Sequence, residues 1–242
     1  MQADFSAVDP AYFVLVVGAL FVHVCYQLSV AVLTHMSAHT LSRKASAKRL
    51  LGLGLSYSFG VFAMTVLLLL AVVSFVTIGQ SPLDNHPLRV PMLVVTSLLP
   101  IIGLVTMFAY FRKGRGTQLW LPRPIAEYLT KRSRKTKSMF EAAMLGGGTI
   151  VGELPFLLAP MLLVATVVAT QSPAMWLLLI KSYAVLATLP LIAITLYLSS
   201  GHSVARVQRW REQSKGFLQW TSGIALVLLT VYLTVLQVGV GV

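Results

Sequence analysis

The sequence predicts an all-α membrane protein in which six helices cross the bilayer. Of its 242 residues, 57% are hydrophobic and only 11% are charged, and the mean hydropathy is +0.81. A soluble domain carries roughly 25% charged residues. Several apolar runs also exceed the roughly 18 residues that cross a bilayer as a helix. We therefore predict an integral membrane protein of a bacterial inner membrane or plasma membrane.

The predicted spans divide into two sets of three. Apolar runs place the helices at residues 11–33 with a tail to 39, 50–78, 90–111, 138–170, 175–199 and 216–238. A basic linker, 112–137, separates the first half, 1–111, from the second half, 138–242. The opening spans of the two halves would cross the membrane in opposite directions. This plan predicts two inverted three-helix repeats, as in transporters with a site at the membrane midplane.

The positive charge is concentrated in alternate loops. Three segments hold 17 of the 19 Lys and Arg residues: Arg43, Lys44, Lys48 and Arg49; then Arg112, Lys113, Arg115, Arg123, Lys131, Arg132, Arg134, Lys135 and Lys137; then Arg206, Arg209, Arg211 and Lys215. Cytoplasmic loops carry such an excess, so both termini are predicted outside. Anionic lipids are the predicted partners of these loops. The net charge of +12 therefore needs no nucleic acid.

The linker itself contains a candidate helix. In LPRPIAEYLTKRSRK the prolines suit a first helical turn, and Ile125, Tyr128 and Leu129 recur at helical spacing. The pattern predicts a short helix at the cytoplasmic membrane interface. A solvated basic loop attracted to anionic lipid accounts for the same residues.

The most informative polar residue of the predicted spans is Glu153, in the stretch VGELPFLLAP. A charged group within the bilayer costs at least ~2.5–3.5 kcal/mol and is a functional candidate. Glycines at 146–148, with Gly152, Pro155 and Pro160, predict a broken helix near mid-depth, with freed carbonyls beside the carboxylate. This arrangement suits a proton or cation site. The structural alternative is a kinked helix whose glutamate is protonated or hydrogen-bonded.

Partners for Glu153 are predicted on the first and fifth spans. His23 and Gln27 are four residues apart, so a continuous helix places them on one face. His23 would then shuttle protons or pair with Glu153, although a histidine satisfied within the core explains it equally well. Lys181 either snorkels to the outer surface or pairs with Glu153.

Other reactive side chains give weaker patterns. His35 and His39 have the i, i+4 spacing of metal ligands, but two ligands alone make no site. Cys25 is the only cysteine, which fits a core residue or an intermolecular redox role. The sequence has no catalytic triad, no phosphate-binding loop and no paired acids, so we predict neither an enzyme nor a cofactor.

Three stretches resemble a superfamily that combines LysE-type exporters with CcdA/DsbD-type thiol-electron transporters. LLLIKSYAVLATLPLIAITLYL and KGFLQWTSGIALVLLTVYL resemble its fifth and sixth spans, and ALFVHVCYQLSVAVL resembles its first. The resemblance implies six helices in two inverted halves. Its electron transporters use one cysteine in each half, with proline after the first. Here Tyr26 follows Cys25 and the second half has no cysteine, so a two-cysteine relay within the chain is excluded.

Together these observations predict a secondary transporter that exports a small or cationic solute through a Glu153-centred site. Two interpretations from other classes stay open. One is a membrane accessory or assembly protein, or a factor for lipid-component transport, a role that the same superfamily includes. The other is a thiol-redox membrane protein that acts through Cys25.

Overall fold

The computed structural model describes residues 10–26, 28–42, 47–78, 89–109 and 123–240, and its secondary-structure elements are all α-helices. The all-α prediction is therefore confirmed for this part of the chain. The helices are α1 Pro10–Cys25, α2 Leu28–Ser42, α3 Ala47–Ile78, α4 Arg89–Ala109, α5 Arg123–Lys135, α6 Met139–Ala169, α7 Pro173–Ser199 and α8 Val204–Val240.

Five helical segments among the described residues are long and apolar enough to cross a membrane. They are Tyr12–Thr40, which comprises α1 and α2, and then Ala47–Ile78, Met139–Ala169, Pro173–Ser199 and Val204–Val235. The apolar part of α4, Leu93–Ala109, is shorter. These helices support an integral membrane protein. The sixth span, the inverted repeat and the side on which the termini lie stay predictions.

Helix α6 lies at the centre of the bundle. Most of its side chains are buried, including an unbroken run from Ala159 to Val168. Helix α3 lies alongside it in the same direction, because Arg49 donates to the Lys137 carbonyl at 3.4 Å near one end, while Gly60 lies against Ala143 further along. In antiparallel helices, residues that come later in α3 would contact residues that come earlier in α6.

Glycines allow α3 and α6 to approach closely. A Cβ atom on Gly60 would overlap the carbonyl oxygen of Ala143, and one on Gly146 would overlap the carbonyl oxygen of Tyr57. Small residues at such positions bring membrane helices into backbone contact. Gly146, one of the glycines that were predicted to weaken the fourth span, therefore lies in the close contact between α6 and α3.

The predicted break in the fourth span is wrong. Helix α6 continues through Gly152, Pro155 and Pro160 without interruption. A proline removes one backbone hydrogen bond, but neighbouring groups in a bundle can replace it. The first span is interrupted instead, between α1 and α2. Sequence reasoning had extended one helix through this point.

The predicted linker contains a helix, α5. Helix α5 covers Arg123–Lys135 and packs against α2 and α6, with Leu129 only 2% exposed and Tyr128 64% exposed. Ser138 then begins α6 with a capping box, in which its hydroxyl accepts from the Glu141 N–H at 3.2 Å. The membrane position of α5 stays a prediction.

The third basic segment is not a loop. Residues 204–215 form the first turns of α8, and Arg211 is 2% exposed there. Its guanidinium donates to the Thr34 hydroxyl of α2 at 3.5 Å. Another contact between these passes joins Gly18 to Leu229, so the first span and α8 run antiparallel. Arg211 therefore belongs to the bundle interior and not to a lipid-binding surface.

Candidate functional site

The interruption of the first span lies directly against Glu153. Tyr26 donates its backbone N–H to the His23 carbonyl at 3.2 Å, a tight terminal turn that ends α1. The backbone N–H of Leu28, the first residue of α2, donates to Glu153 Oε1 at 3.3 Å. Because a helix N-terminus carries unpaired N–H groups and partial positive charge, it stabilises a carboxylate there. Glu153 thus caps a helix that is 125 residues away in the chain.

The carboxylate is deeply enclosed. Glu153 is 3% exposed and lies at the middle of α6, fourteen residues after Met139 and sixteen before Ala169. Beside it is a cavity of about 30 Å³ that His23, Tyr26, Ser29 and Pro190 also line. A cavity with polar groups in its lining holds a water molecule once the space open to the centre of the water is roughly 10–15 Å³. The cavity therefore has room for water or a small ion and excludes an organic solute in this conformation.

His23 faces the same cavity and is bonded to the second half of the chain. Its Nδ1 atom lies 3.0 Å from the hydroxyl of Tyr183 on α7, and the two ring centroids are 5.6 Å apart. Both side chains are buried. The structure thus brings His23 and Glu153 to one cavity, as predicted, while the hydrogen bond of His23 goes to a tyrosine that sequence reasoning had not selected.

A chain of hydroxyl groups continues from the cavity along α2. Tyr57 on α3 donates to the backbone carbonyl of Ser29 at 2.9 Å and lies 3.0 Å from Thr149 Oγ1 on α6. The Ser29 hydroxyl lies 3.4 Å from the same threonine oxygen. Tyr57 is completely buried. These contacts hold the first turn of α2 against α3 and α6 and so fix the position of its N-terminus at Glu153.

Lys181, another predicted partner of Glu153, does not line the cavity beside it. Lys181 lies on an exposed position of α7, as expected for a snorkelling lysine. Gln27 lies outside the described residues. Cys25 is buried at the end of α1, so its thiol is not presented to a partner molecule.

Among the described residues, no further metal ligand joins the histidine pair on α2. His35 is exposed and His39 is half-buried. Within the described ranges, no cluster of three or more His, Cys, Asp or Glu side chains is suitable for a metal ion. Neither histidine lines the Glu153 cavity.

Three buried polar residues were not predicted to lie in the interior. Neither Tyr57 nor Tyr183 was selected from the sequence, and Arg211 was placed in a cytoplasmic loop. The two tyrosines could have been selected from the sequence, because a hydroxyl group within an apolar span needs a hydrogen-bond partner. Arg211 gave no such signal, since its neighbours in the sequence are polar.

Comparisons with known proteins returned no match to any family model, curated protein or solved structure.

Proposed function

We propose that the protein is a secondary transporter that exports a small or cationic solute, with Glu153 as the group that binds the coupled proton or cation. The observation that carries the proposal is the hydrogen bond from Leu28 N–H to the buried Glu153 carboxylate at an interrupted span. Helix ends within membrane spans are features of transporter sites, because their free backbone groups bind charged ligands.

The cavity supports the coupling role of Glu153. A volume of about 30 Å³ beside the carboxylate suits a proton carried on Glu153, with water, or a small dehydrated cation. The imidazole of His23 lines the same cavity, within a pair that includes the Tyr183 hydroxyl. A histidine there can receive or release a proton as the cavity changes its access. The solute itself would need a more open conformation.

The polar contacts also join the two halves of the chain. The bonds of the site that cross from 1–111 to 138–242 are Leu28–Glu153, His23–Tyr183, Ser29–Thr149 and Tyr57–Thr149. Alternating access requires one half to move against the other around a fixed site. Such a movement would change all of these contacts together. Proton or cation binding at Glu153 would then bias the conformation of the whole bundle.

The experiment separates the charge of Glu153 from its role as a helix cap. Glu153→Gln keeps a side-chain oxygen that can accept from Leu28 N–H but cannot exchange a proton. Glu153→Ala removes both functions, and Glu127→Gln, an exposed glutamate on α5, is the charge-matched control. Purified variants are reconstituted in vesicles that contain an internal pH dye, and proton movement is followed on addition of amino acids, polyamines, sugars and metal cations.

We expect solute-dependent proton movement in the native protein and in Glu127→Gln, and its loss in Glu153→Gln at an unchanged melting temperature. Glu153→Ala should lose both flux and stability. Normal coupled flux in Glu153→Gln together with a lower melting temperature in Glu153→Ala would reduce Glu153 to a structural cap and overturn the proposal.

A further inference from the structure

A second and much larger cavity lies between α1, α6 and α7. It has a volume of about 250 Å³, and side chains from all three helices line it, among them Val16, Leu20, Val164, Val168, Leu179 and Leu186. Nearly all of the lining is aliphatic or aromatic. A cavity of this kind offers almost no hydrogen bonds to water or to a polar solute, so its ligand must be a hydrocarbon group.

The cavity is a groove that opens sideways. Large apolar residues at its edge are exposed, with Phe13 at 63%, Val17 at 46% and Leu186 at 47%. All three lie in segments long and apolar enough to span the membrane. Exposed apolar side chains on such segments face lipid chains. The opening of the groove is therefore toward the hydrocarbon of the bilayer and not toward water.

The two ends of the groove differ in chemistry. At one end are Tyr12 and Gln171, and the Gln171 carbonyl accepts a hydrogen bond from the Trp176 indole at 2.9 Å. Tyrosine and tryptophan concentrate at membrane–water interfaces, so this end lies at headgroup level. Toward the other end lie Leu186 and Tyr183, and the Tyr183 hydroxyl is 3.0 Å from Nδ1 of His23 in the Glu153 cavity. The groove thus runs from the interface into the bilayer.

Its length matches one leaflet. The lining residues of α1 run from Tyr12 to Leu20, and eight helical steps cover about 12 Å. Half of the ~30 Å hydrocarbon core is about 15 Å. A chain that enters at the Gln171 end would therefore extend along most of the groove and end near Tyr183.

We propose that this apolar groove binds one acyl chain of a phospholipid from the leaflet at its Gln171 end. The chain packs between α1 and the second-half helices α6 and α7, and its terminus contacts the ring of Tyr183. Because the Tyr183 hydroxyl lies 3.0 Å from His23 Nδ1, a chain in the groove contacts a residue that also bounds the Glu153 site. The binding site itself does not depend on transport, so it is testable without a known solute.

The test uses the full chain in vesicles of phosphatidylcholine that contain a small fraction of the same lipid with a diazirine in the middle of one acyl chain. After illumination, mass spectrometry maps the attachment points on the protein. Val16→Trp and Leu179→Trp fill the groove from two different helices, at half-buried positions. Leu228→Trp, at a residue of α8 that is 62% exposed, is the matched control.

We expect labelling to concentrate on the groove-lining residues of α1 and α7, and to fall at least tenfold there in each filling variant whose melting temperature shows a folded protein. Leu228→Trp should leave it unchanged. Equal labelling of the groove and of the outer face of α8, or full groove labelling in a folded filling variant, would overturn the proposal. Protein–protein crosslinks at these residues would assign the groove to a second copy of the chain and would also overturn it.

Discussion

The contact between α3 and α6 gives a direct test of the fold. At Gly60 a new Cβ atom would overlap the carbonyl oxygen of Ala143, which is backbone and cannot rotate away. At Gly52, on the same helix, the nearest atom to a new Cβ is the terminal methyl group of Met139, at 2.8 Å. Met139 is 60% exposed and its side chain is free to move. The same substitution therefore meets a rigid obstacle at one position and a flexible one at the other.

The two substitutions share their helix-propensity gain, because alanine in a helix interior is favoured over glycine by about 1 kcal/mol. Overpacking in a close contact costs about 1–3 kcal/mol, and the rigid carbonyl at Gly60 places it at the upper end. We expect Gly60→Ala to be net destabilising by about 2 kcal/mol and Gly52→Ala to be neutral or slightly stabilising. At about 2–4 °C per kcal/mol for a chain of this size, a difference of about 2–3 kcal/mol separates their melting temperatures by about 4–12 °C.

The assay is thermal unfolding of the two purified variants in the same detergent, with identical heating rates. A melting temperature for Gly60→Ala that equals or exceeds that of Gly52→Ala would show that α3 and α6 are not in backbone contact at this point. It would refute the packing on which the position of Tyr57, and therefore of the first turn of α2, depends.

Two further predictions use matched pairs of the same kind. Ser138→Ala removes the side-chain cap of α6 and should lower stability by about 1 kcal/mol, whereas Ser172→Ala should change nothing, because Ser172 makes no side-chain cap bond at the start of α7; equal melting temperatures would contradict this. Arg211→Met removes a buried hydrogen bond to Thr34 and should cost about 1.5–3 kcal/mol. The exposed Arg209→Met should be neutral, and denaturant unfolding that gives the two arginine variants the same stability would show that Arg211 lies in solvent.

The helices themselves were predictable because apolar composition acts locally. The runs 138–170 and 175–199 predicted α6 and α7 within two residues of their observed ends, Met139–Ala169 and Pro173–Ser199. In a bilayer an uninterrupted apolar segment must satisfy its backbone by forming a helix. The predicted start of α8, at residue 216, is too late, because the helix begins at Val204. Its first turns are polar, so the apolar run marks only the later part of the helix.

The position of the break was not predictable from local rules. Glycine and proline in VGELPFLLAP favour a break in α6, yet that helix is continuous. The segment CYQLS, where the first span does stop, contains neither residue. The start of α2 is instead marked by a tertiary contact, the bond from Leu28 N–H to Glu153. A single sequence does not reveal that residues 28 and 153 are neighbours, although it did single out the carboxylate as the group in need of a partner.

The hydrogen bonds of the site that join the two halves of the chain are individually weak. Four hydrogen bonds of the site cross from 1–111 to 138–242. Double-mutant cycles in a membrane protein average about 0.6 kcal/mol for such a bond, so breaking all four costs about 2.4 kcal/mol. A ligand that binds only the open conformation at 100 times its dissociation constant contributes about 2.7 kcal/mol. In the proposed transporter a solute would have to overcome these bonds and also the close packing of α3 on α6. Replacing Thr149 by valine, which removes two of the four bonds, should lower the cost of opening by about 1.2 kcal/mol.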